Sequence, residues 1–353
     1  MMIRLLFRLF RTLGQVTSAT TLKVMVAVVA VIWFSASGYL YFEIQAKPDL
    51  TWADGFWWAI VTITTVGYGD FFPESQLGRF LVGVPTMLFG ISVLGYLLST
   101  LATYLIESKS KELKGMKQIQ LQNHILVAHF SDVNRVVQLV RELQGDPETR
   151  GKPIVLIDDQ LSEIPAELDE LGLKFVHGNP AREATLEQAN YTEATHAIVL
   201  ARDPRDVHSD DMNLAVAMTI EGLNRTIHTV IECVDPQSVE VLRRTGCDSI
   251  VCVSQFSSSL LVQELLDPGV KAVFAELTAV RIGQKLYVVH IRTMKDWTFG
   301  ELRTWGTGQG LLAVGVKRGP DIHLNPTADF AVEQHDLAVV VAGQRPGEID
   351  TTA

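Results

Sequence analysis

Thr62-Ile63-Thr64-Thr65-Val66-Gly67-Tyr68-Gly69-Asp70 is the stretch whose reading decides the fold. Gly67 and Gly69 alternate with Val66 and Tyr68. Glycine takes left-handed backbone angles at little steric cost. A backbone whose dihedrals change sign from one residue to the next aims successive carbonyls at one line. Such a row of oxygens can replace the water shell of a cation. The competing reading is a Gly-rich turn between strands, with Tyr68 as a core aromatic. The flanking segments decide between the two.

Leu22 to Phe42 carries no charge except Lys23. About 20 apolar residues cross a ~30 Å hydrocarbon layer, so this is a first membrane span. Trp33 lies within it, and Tyr39 and Tyr41 lie near its outer end, where aromatic rings prefer the interface. A second span runs from Leu77 to Ile106. At 1.5 Å per residue it reaches ~45 Å, so its inner end projects beyond the bilayer core. Residues 2–13 place Arg4, Arg8 and Arg11 at helical spacing among large apolar side chains, a face suited to the membrane surface. The apolar run that follows is too long for a signal peptide and lacks a small-residue cleavage site. Between the spans, Trp52 to Thr64 reads as a short helix with Asp54 near its positive end.

Basic residues flank the pair of spans: Arg4, Arg8 and Arg11 before, Lys109, Lys111, Lys114 and Lys117 after. The intervening loop holds Asp49, Asp54, Asp70 and Glu74 against Lys47. The positive-inside rule then puts both ends in the cytoplasm of a cell, with the chain in its inner membrane. The chain of 353 residues has a net charge of −10. Residues 1–117 carry ten basic and seven acidic side chains, so the acidity lies in the rest. An acidic, soluble rear argues against nucleic acid as a partner. Cys233, Cys247 and Cys252 are odd in number and form no CxxC pair, which suits small apolar roles in a reduced compartment better than zinc.

With an apolar span on each side, the Thr-Val-Gly-Tyr-Gly loop resembles the selectivity filter of the potassium channels, and residues 1–106 resemble their two-helix pore. The resemblance implies that the carbonyls of Thr65, Val66, Gly67 and Tyr68, with Gly69 and the Thr65 hydroxyl, line a path for K+. It implies a homotetramer, because one chain supplies one filter strand. Trp57 and Trp58 match the paired tryptophans of the family's pore helix, and by that match the Trp58 indole donates to Asp70 behind the filter. Where some members carry a bracing Glu, this chain has Val61. Gly90 lies where related channels place a bending glycine; close helix contact is the alternative. Pro85 and Gly95 are further weak points. Leu94, Leu97, Leu98, Leu101 and Leu105 follow at helical spacing, and some of them form an apolar inner gate.

Residues 107–122 are polar and read as a linker. Met116 within it is either an ordinary methionine or an internal start that yields free soluble copies of the rear domain. Beyond it, strands are predicted at 124–129, 153–158, 174–177, 196–201, 227–232 and 248–252. Helices are predicted at 132–144, 163–171, 183–189, 207–223, 236–245 and 256–266. Continuous Val/Ile/Leu strands with helical crossovers predict a doubly wound parallel sheet of Rossmann type over 123–266. Short β runs at 286–291, 311–317 and 337–341 predict a small α+β lobe over 272–345, with a loose tail after Gly343.

Val176-His177-Gly178-Asn179-Pro180, Leu186-Glu187-Gln188-Ala189 and Val241-Leu242-Arg243-Arg244-Thr245-Gly246-Cys247-Asp248 resemble segments of the RCK (TrkA-N) domain that regulates potassium conductance. Leu324-Asn325-Pro326 and Glu333-Gln334-His335-Asp336 resemble its TrkA-C companion. The resemblance implies pairing of RCK domains in a ring of four or eight lobes and a regulatory ligand, a nucleotide or a divalent cation. For a nucleotide, Asp158 and Asp159 end the second strand where a carboxylate holds ribose hydroxyls, and Gly178 lies nearby. The first turn, Ala128 to Asn134, lacks every glycine of the G-x-G-x-x-G fingerprint, and Phe130 and Asp132 would crowd and repel a pyrophosphate. For calcium, Glu232 matches one acidic position of a calcium-gated relative, while Ala201 and Val234 stand at the companion positions. Asp203, Asp206, His208, Asp210 and Asp211 read as a capping loop or another cation site. The functional expectation is a ligand-regulated K+ channel and not an enzyme. The alternatives are a membrane-anchored dinucleotide-binding oxidoreductase, which the missing glycines weaken, or a regulatory subunit of a K+ transporter, which needs no filter of its own.

Overall fold

The computed structural model describes residues 19–279, 283–292 and 297–350. The expected amphipathic segment at 2–13 lies outside them. The chain divides into two compact units, Met1–Lys109 and Ser110–Ala353.

In the first unit, α1 (Ala19–Glu43) is followed by the short α2 (Trp52–Ile63). The second long segment begins with α3 (Gln76–Gly78), passes through a π-helical turn (Arg79–Gly83) and continues as α4 (Val84–Leu113). Among the described residues two helices are long and apolar enough to cross a membrane, Lys23–Glu43 and Gln76–Leu113. The π turn has a local cause. Pro85 has no N–H and so removes one helical bond, and the helix widens just before it, with Val84 N donating to Arg79 O. The helix then runs unbroken through Gly90 and Gly95.

These elements meet through small residues. Gly55 of α2 sits against α1, where an added Cβ would lie 3.1 Å from the Ala36 carbonyl oxygen. Thr86 donates to Ser35 at 2.8 Å, both fully buried, so two polar groups satisfy each other between helices. Tyr39, Trp58, Ala59 and Val82 form the small core of this unit.

The second unit opens on a parallel sheet of six strands in the order β3-β2-β1-β4-β5-β6. These are β1 (His124–Ala128), β2 (Ile154–Asp158), β3 (Lys174–His177), β4 (Ala194–Val199), β5 (His228–Cys233) and β6 (Ser249–Cys252). The helices between them are α5 (Val133–Gly145), α6 (Ala166–Glu170), α7 (Glu183–Gln188), α8 (His208–Leu223) and α9 (Val239–Arg243). β1 and β2 are buried along their whole length because helices cover both faces. Two apolar clusters lie on opposite faces of β1, one around Leu126 and Val176 and the other around Ile125 and Phe175.

Ser110 to Leu121 is docked onto this domain. Gly115 O accepts from His177 N at 3.1 Å and from Gln188 Nε2 at 2.8 Å. Ile119 N donates to Gln188 O, and Glu112 pairs with Lys174 at 2.6 Å. Gly115 has φ +65, and a Cβ there would strike His177 N at 2.4 Å, so glycine is required twice over.

After β6 come α10 (Val253–Leu266) and α11 (Val270–Thr278), neither of which buries a residue within the single chain. The last lobe is a five-stranded sheet in the order β10-β9-β12-β7-β13, with α12 (Phe299–Gly308) packed on it. Its strands are β7 (Lys285–Arg292), β9 (Leu312–Arg318), β10 (Asp321–Leu324), β12 (Leu337–Ala342) and β13 (Ile349–Asp350); β8 (Trp297–Thr298) and β11 (Ala331–Val332) pair apart. Between Gly343 and Asp350 the expected loose tail is instead fastened to the sheet at its end. Ile349 pairs with Ile291 of β7 and is 1% exposed, an anchor of one apolar residue too short to register as a strand pattern.

Candidate functional site

Thr65, Gly67 and Gly69 have φ of +62, +55 and +79, while Val66 and Tyr68 between them do not. This is the sign alternation that turns successive carbonyls to one side. Nothing lies within 4 Å of a Cβ built on Gly67 or Gly69, so backbone angle and not space demands glycine. The loop hangs from the end of α2: Val66 N and Gly67 N both donate to Val61 O, at 3.0 and 3.3 Å. α2 itself starts on a capping box between Thr51 and Asp54, which fixes its positive end and aims its negative end at the loop.

The tryptophan contact differs from expectation. Trp57, not Trp58, donates its indole N–H to Asp70, at 2.8 Å, and stacks parallel on Tyr68 with centroids 5.9 Å apart. Trp58 lies one helical step round and is buried against Tyr39, centroids 4.7 Å apart. A step of about 100° separates adjacent helical residues, so only one of the pair can face the loop. Val61 is buried. Gly90 is buried against the end of α2, where a Cβ would lie 3.0 Å from Ile63 Cγ1. The structure thus gives Gly90 a close-contact role. Leu97, Leu98 and Leu101 of α4 are exposed in the single chain and Leu94 is half-buried.

Glu43 went unnoticed in the sequence, where it looked like an ordinary end of a span. It is fully buried and accepts from Glu74 N, Ser75 N and Ser75 Oγ.

In the second unit, strand order reverses between β1 and β4, the place where doubly wound sheets bind ligands. A cavity of about 570 Å³ opens there, lined by Phe130, Ser131, Asp158, Arg202, Asp203 and Met212 among others. The turn keeps the shape of a Gly-rich loop without glycine, since His129 takes φ +68. Asp132 caps α5 by accepting from Arg135 N at 3.0 Å, so a carboxylate already holds the helix end that a pyrophosphate would use. Asp158, 1% exposed, accepts from Gln160 N and Leu161 N at 2.8 Å, Phe130 N at 3.0 Å and Arg202 at 3.3 Å. Asp159 pairs with Arg202 at 2.5 Å. Both carboxylates expected to hold a ribose are thus engaged by the protein's own donors. Gly178 makes room for Thr185, which an added Cβ would meet at 2.7 Å.

Arg202 also contacts His129 Nδ1 at 3.0 Å. Burial, with the Arg202 guanidinium beside it, pulls the His129 imidazole down to about 4. Glu232 accepts from Ala201 N at 2.7 Å and pairs with Arg135. A cation at Glu232 would have to compete with that arginine. Among the described residues no group of three His, Cys, Asp or Glu is placed to hold a metal. Asp210 turns inward to accept from Val234 N and Asp235 N, and Asp206 accepts from His208 N, which makes that acidic loop a capping loop. Arg135 and Arg202 carried no sequence signal, because their role depends on strands distant along the chain.

Comparisons with known proteins agree with both halves. The ion channel family model matches residues 26–107 and the TrkA-N domain model matches residues 135–253. A Bacillus subtilis chain named as potassium channel protein YugO is 28% identical over 227 residues, 64% of this chain and 67% of that one. The calcium-gated potassium channel TvoK of Thermoplasma volcanium is 24% identical over 271 residues, 74% of each chain. The solved structure of the GsuK channel bound to NAD is similar to this one over 92% of this chain and 57% of that chain, at 19% identity and a TM-score of 0.44. This chain thus spans just over half of the GsuK chain.

One chain thus joins a segment that matches the ion channel model to a segment that matches the TrkA-N domain model. In both halves the chain is similar to prokaryotic potassium channels that join a pore segment to a TrkA-N (RCK) domain.

Proposed function

We propose that four copies of this chain form a passive pore that admits K+, excludes Na+ and is opened or closed by a ligand of the RCK domain. The observation that carries the reading is the alternation of backbone sign at Thr65, Gly67 and Gly69, with the loop held from behind by Trp57 and Asp70. Carbonyls of four such loops around one axis replace the hydration shell of K+. Tyr68 is 69% exposed in the single chain, as a loop that completes its site only with neighbours should be. The apolar, unburied α10 and α11 supply a pairing face for RCK domains. The basic flanks put both termini in the cytoplasm.

A ligand shifts opening only by its differential affinity for two shapes of the domain. The cavity between β1 and β4 is the favoured seat, and a nucleotide bound there leaves the N-terminus of α5 to Asp132. Its anionic groups compete with Asp158 and Asp159 for Arg202. A thermal-shift screen of the full chain in detergent against NAD, NADH, ATP, ADP and Ca²⁺ selects the ligand class. For conduction, the purified chain in liposomes should pass K+ far faster than Na+; equal fluxes contradict the proposal.

A further inference from the structure

We infer that Cys233 and Cys252 form a peroxide-sensitive thiol pair, which closes to a disulfide and fastens the point where the chain leaves the parallel sheet. Both thiols are free, and the two residues are register partners at the ends of β5 and β6. Paired residues on neighbouring strands point to the same face. The packing agrees: Cys233 belongs to the apolar cluster around Leu126, and Cys252 packs against that cluster. Neighbouring strands lie about 4.8 Å apart, and bridged cysteines have Cα atoms about 4.4–6.8 Å apart. The Cys233 thiol already hydrogen-bonds with the Cys252 thiol. Cys247, the third cysteine, is turned to the Leu242 carbonyl at 3.7 Å.

The two sulfurs are unequal. Cys233 is fully buried, and its S–H donates to Asp235 O at 3.0 Å, with Asp210 Oδ2 at 3.6 Å. Burial, with the Asp210 carboxylate beside it, pushes this thiol up to about 12, so it does not ionise unprompted. Cys252 is half-buried, with Ser254 Oγ 3.4 Å from its sulfur, and is the one that solvent reaches. Hydrogen peroxide meets Cys252 first: its sulfur takes one oxygen, giving a sulfenic acid and one water. The Cys233 sulfur then attacks the Cys252 sulfur. The S–S bond forms, the S–O bond breaks, and the hydroxyl leaves with the Cys233 proton as a second water. The thiols lose two electrons, which the peroxide takes up; a small thiol such as dithiothreitol returns them.

The position gives the bridge its effect. β6 is the edge of the sheet with β5 as its one strand neighbour, and its residues alternate between exposed and half-buried. Cys252 is its last residue and the N-cap of α10, on the way to the last lobe. A covalent tie there stops β6 from peeling away and fixes where α10 starts. Transient disulfides of this kind serve redox sensing in compartments that otherwise keep thiols reduced.

The full chain in detergent, treated with hydrogen peroxide and digested without reductant, should yield one peptide pair joined through Cys233 and Cys252. The pair should be two hydrogens lighter than the separate thiols and should come apart in dithiothreitol. Backbone amides of 250–256 should exchange more slowly in the oxidised protein. Cys233→Ser should stop at the first step, with a sulfenic acid at Cys252 that dimedone traps. Cys252→Ser should leave Cys233 as a thiol. A peptide map with no bridge, with a bridge through Cys247, or with Cys252 oxidised past the sulfenic acid, overturns the pairing. A bridge that leaves exchange at 250–256 unchanged overturns the fastening. If a variant fails to assemble, the wild-type map decides alone. K+ flux plays no part in these readouts, so their failure is distinct from failure of the channel reading.

Discussion

The Trp57 indole donates to the Asp70 carboxylate at 2.8 Å while its ring lies parallel to that of Tyr68. One side chain thus grips the loop from Thr65 to Asp70 at two points, by a charge-assisted hydrogen bond and by an apolar face. Trp58, its neighbour in sequence, serves the opposite purpose and fastens α2 to α1 through Tyr39. The paired tryptophans divide the work because successive residues on a helix point about 100° apart.

Replacing Trp57 by Phe removes the donor and keeps most of the ring. A hydrogen bond to a charged group contributes about 1.5–3 kcal/mol, so sustained K+ flux should fall while assembly persists. Trp58→Phe should instead lower the thermal stability of the oligomer and leave initial selectivity intact. Flux and gel-filtration measurements on the two variants separate these outcomes; identical behaviour would remove the division of labour.

Gly90 and Gly95 lie on the same helix and should respond in opposite ways. Alanine at 90 meets Ile63 at 3.0 Å and costs about 1–3 kcal/mol by overpacking. Alanine at 95 meets nothing within 4 Å and should stabilise the helix by about 0.5–1 kcal/mol. Melting temperatures of the two variants test this. A Gly90→Ala protein of unchanged stability but altered opening would favour the hinge reading.

The second unit was legible only in part. The doubly wound sheet followed from six apolar runs spaced by helical segments, and each strand lies within two residues of its expected place. For β1 and β2 that precision follows from burial on both faces, which gives their apolar runs sharp ends. The backbone alternation at Gly67 and Gly69 was equally legible, because these glycines answer to backbone angle, a local demand. What could not be read were pairings that the fold creates between remote positions: Glu43 with Ser75, Arg202 with Asp158 and Asp159, Arg135 with Glu232. A basic residue far along the chain gives no sign of which carboxylate it will meet. The tail beyond Gly343 was misread because its attachment rests on one apolar residue, Ile349.

His129 gives a pH signature. Its folded value of about 4 lies below the ordinary 6.5, through burial and the nearby Arg202. The unfolded chain therefore takes up a proton first as pH falls, so this contribution to stability is full above pH 6.5 and is lost on the way down to about 4. The slope should not exceed about 1.4 kcal/mol per pH unit from this residue. Substituting His129→Gln should flatten the stability curve in that window, measured by denaturant unfolding of the full chain at several pH values. An unchanged slope would mean that the imidazole charges freely in the folded state.

Asp336 anchors the last lobe. It is 2% exposed and takes both Nε and Nη2 of Arg318, at 2.9 and 2.7 Å. Burial alone would raise its pKa, but the Arg318 bonds and the Glu333 N–H outweigh it and hold the carboxyl below the usual range. Its contribution is thus present above about pH 4 and is lost as pH falls further. Asp336→Asn leaves Arg318 without its buried partner and should cost about 3–5 kcal/mol. Limited proteolysis should then cut the last lobe first; uniform resistance would contradict its dependence on this pair.

The central claim is selective conduction of K+ through the loop from Thr65 to Gly69. The most direct test is the reversal potential of the purified channel in a planar bilayer, with K+ on one side and an equal concentration of Na+ on the other. Each tenfold preference for K+ moves the reversal by about 59 mV. A displacement of that size or larger toward the K+ equilibrium is expected, whereas a current that reverses at zero would contradict the account.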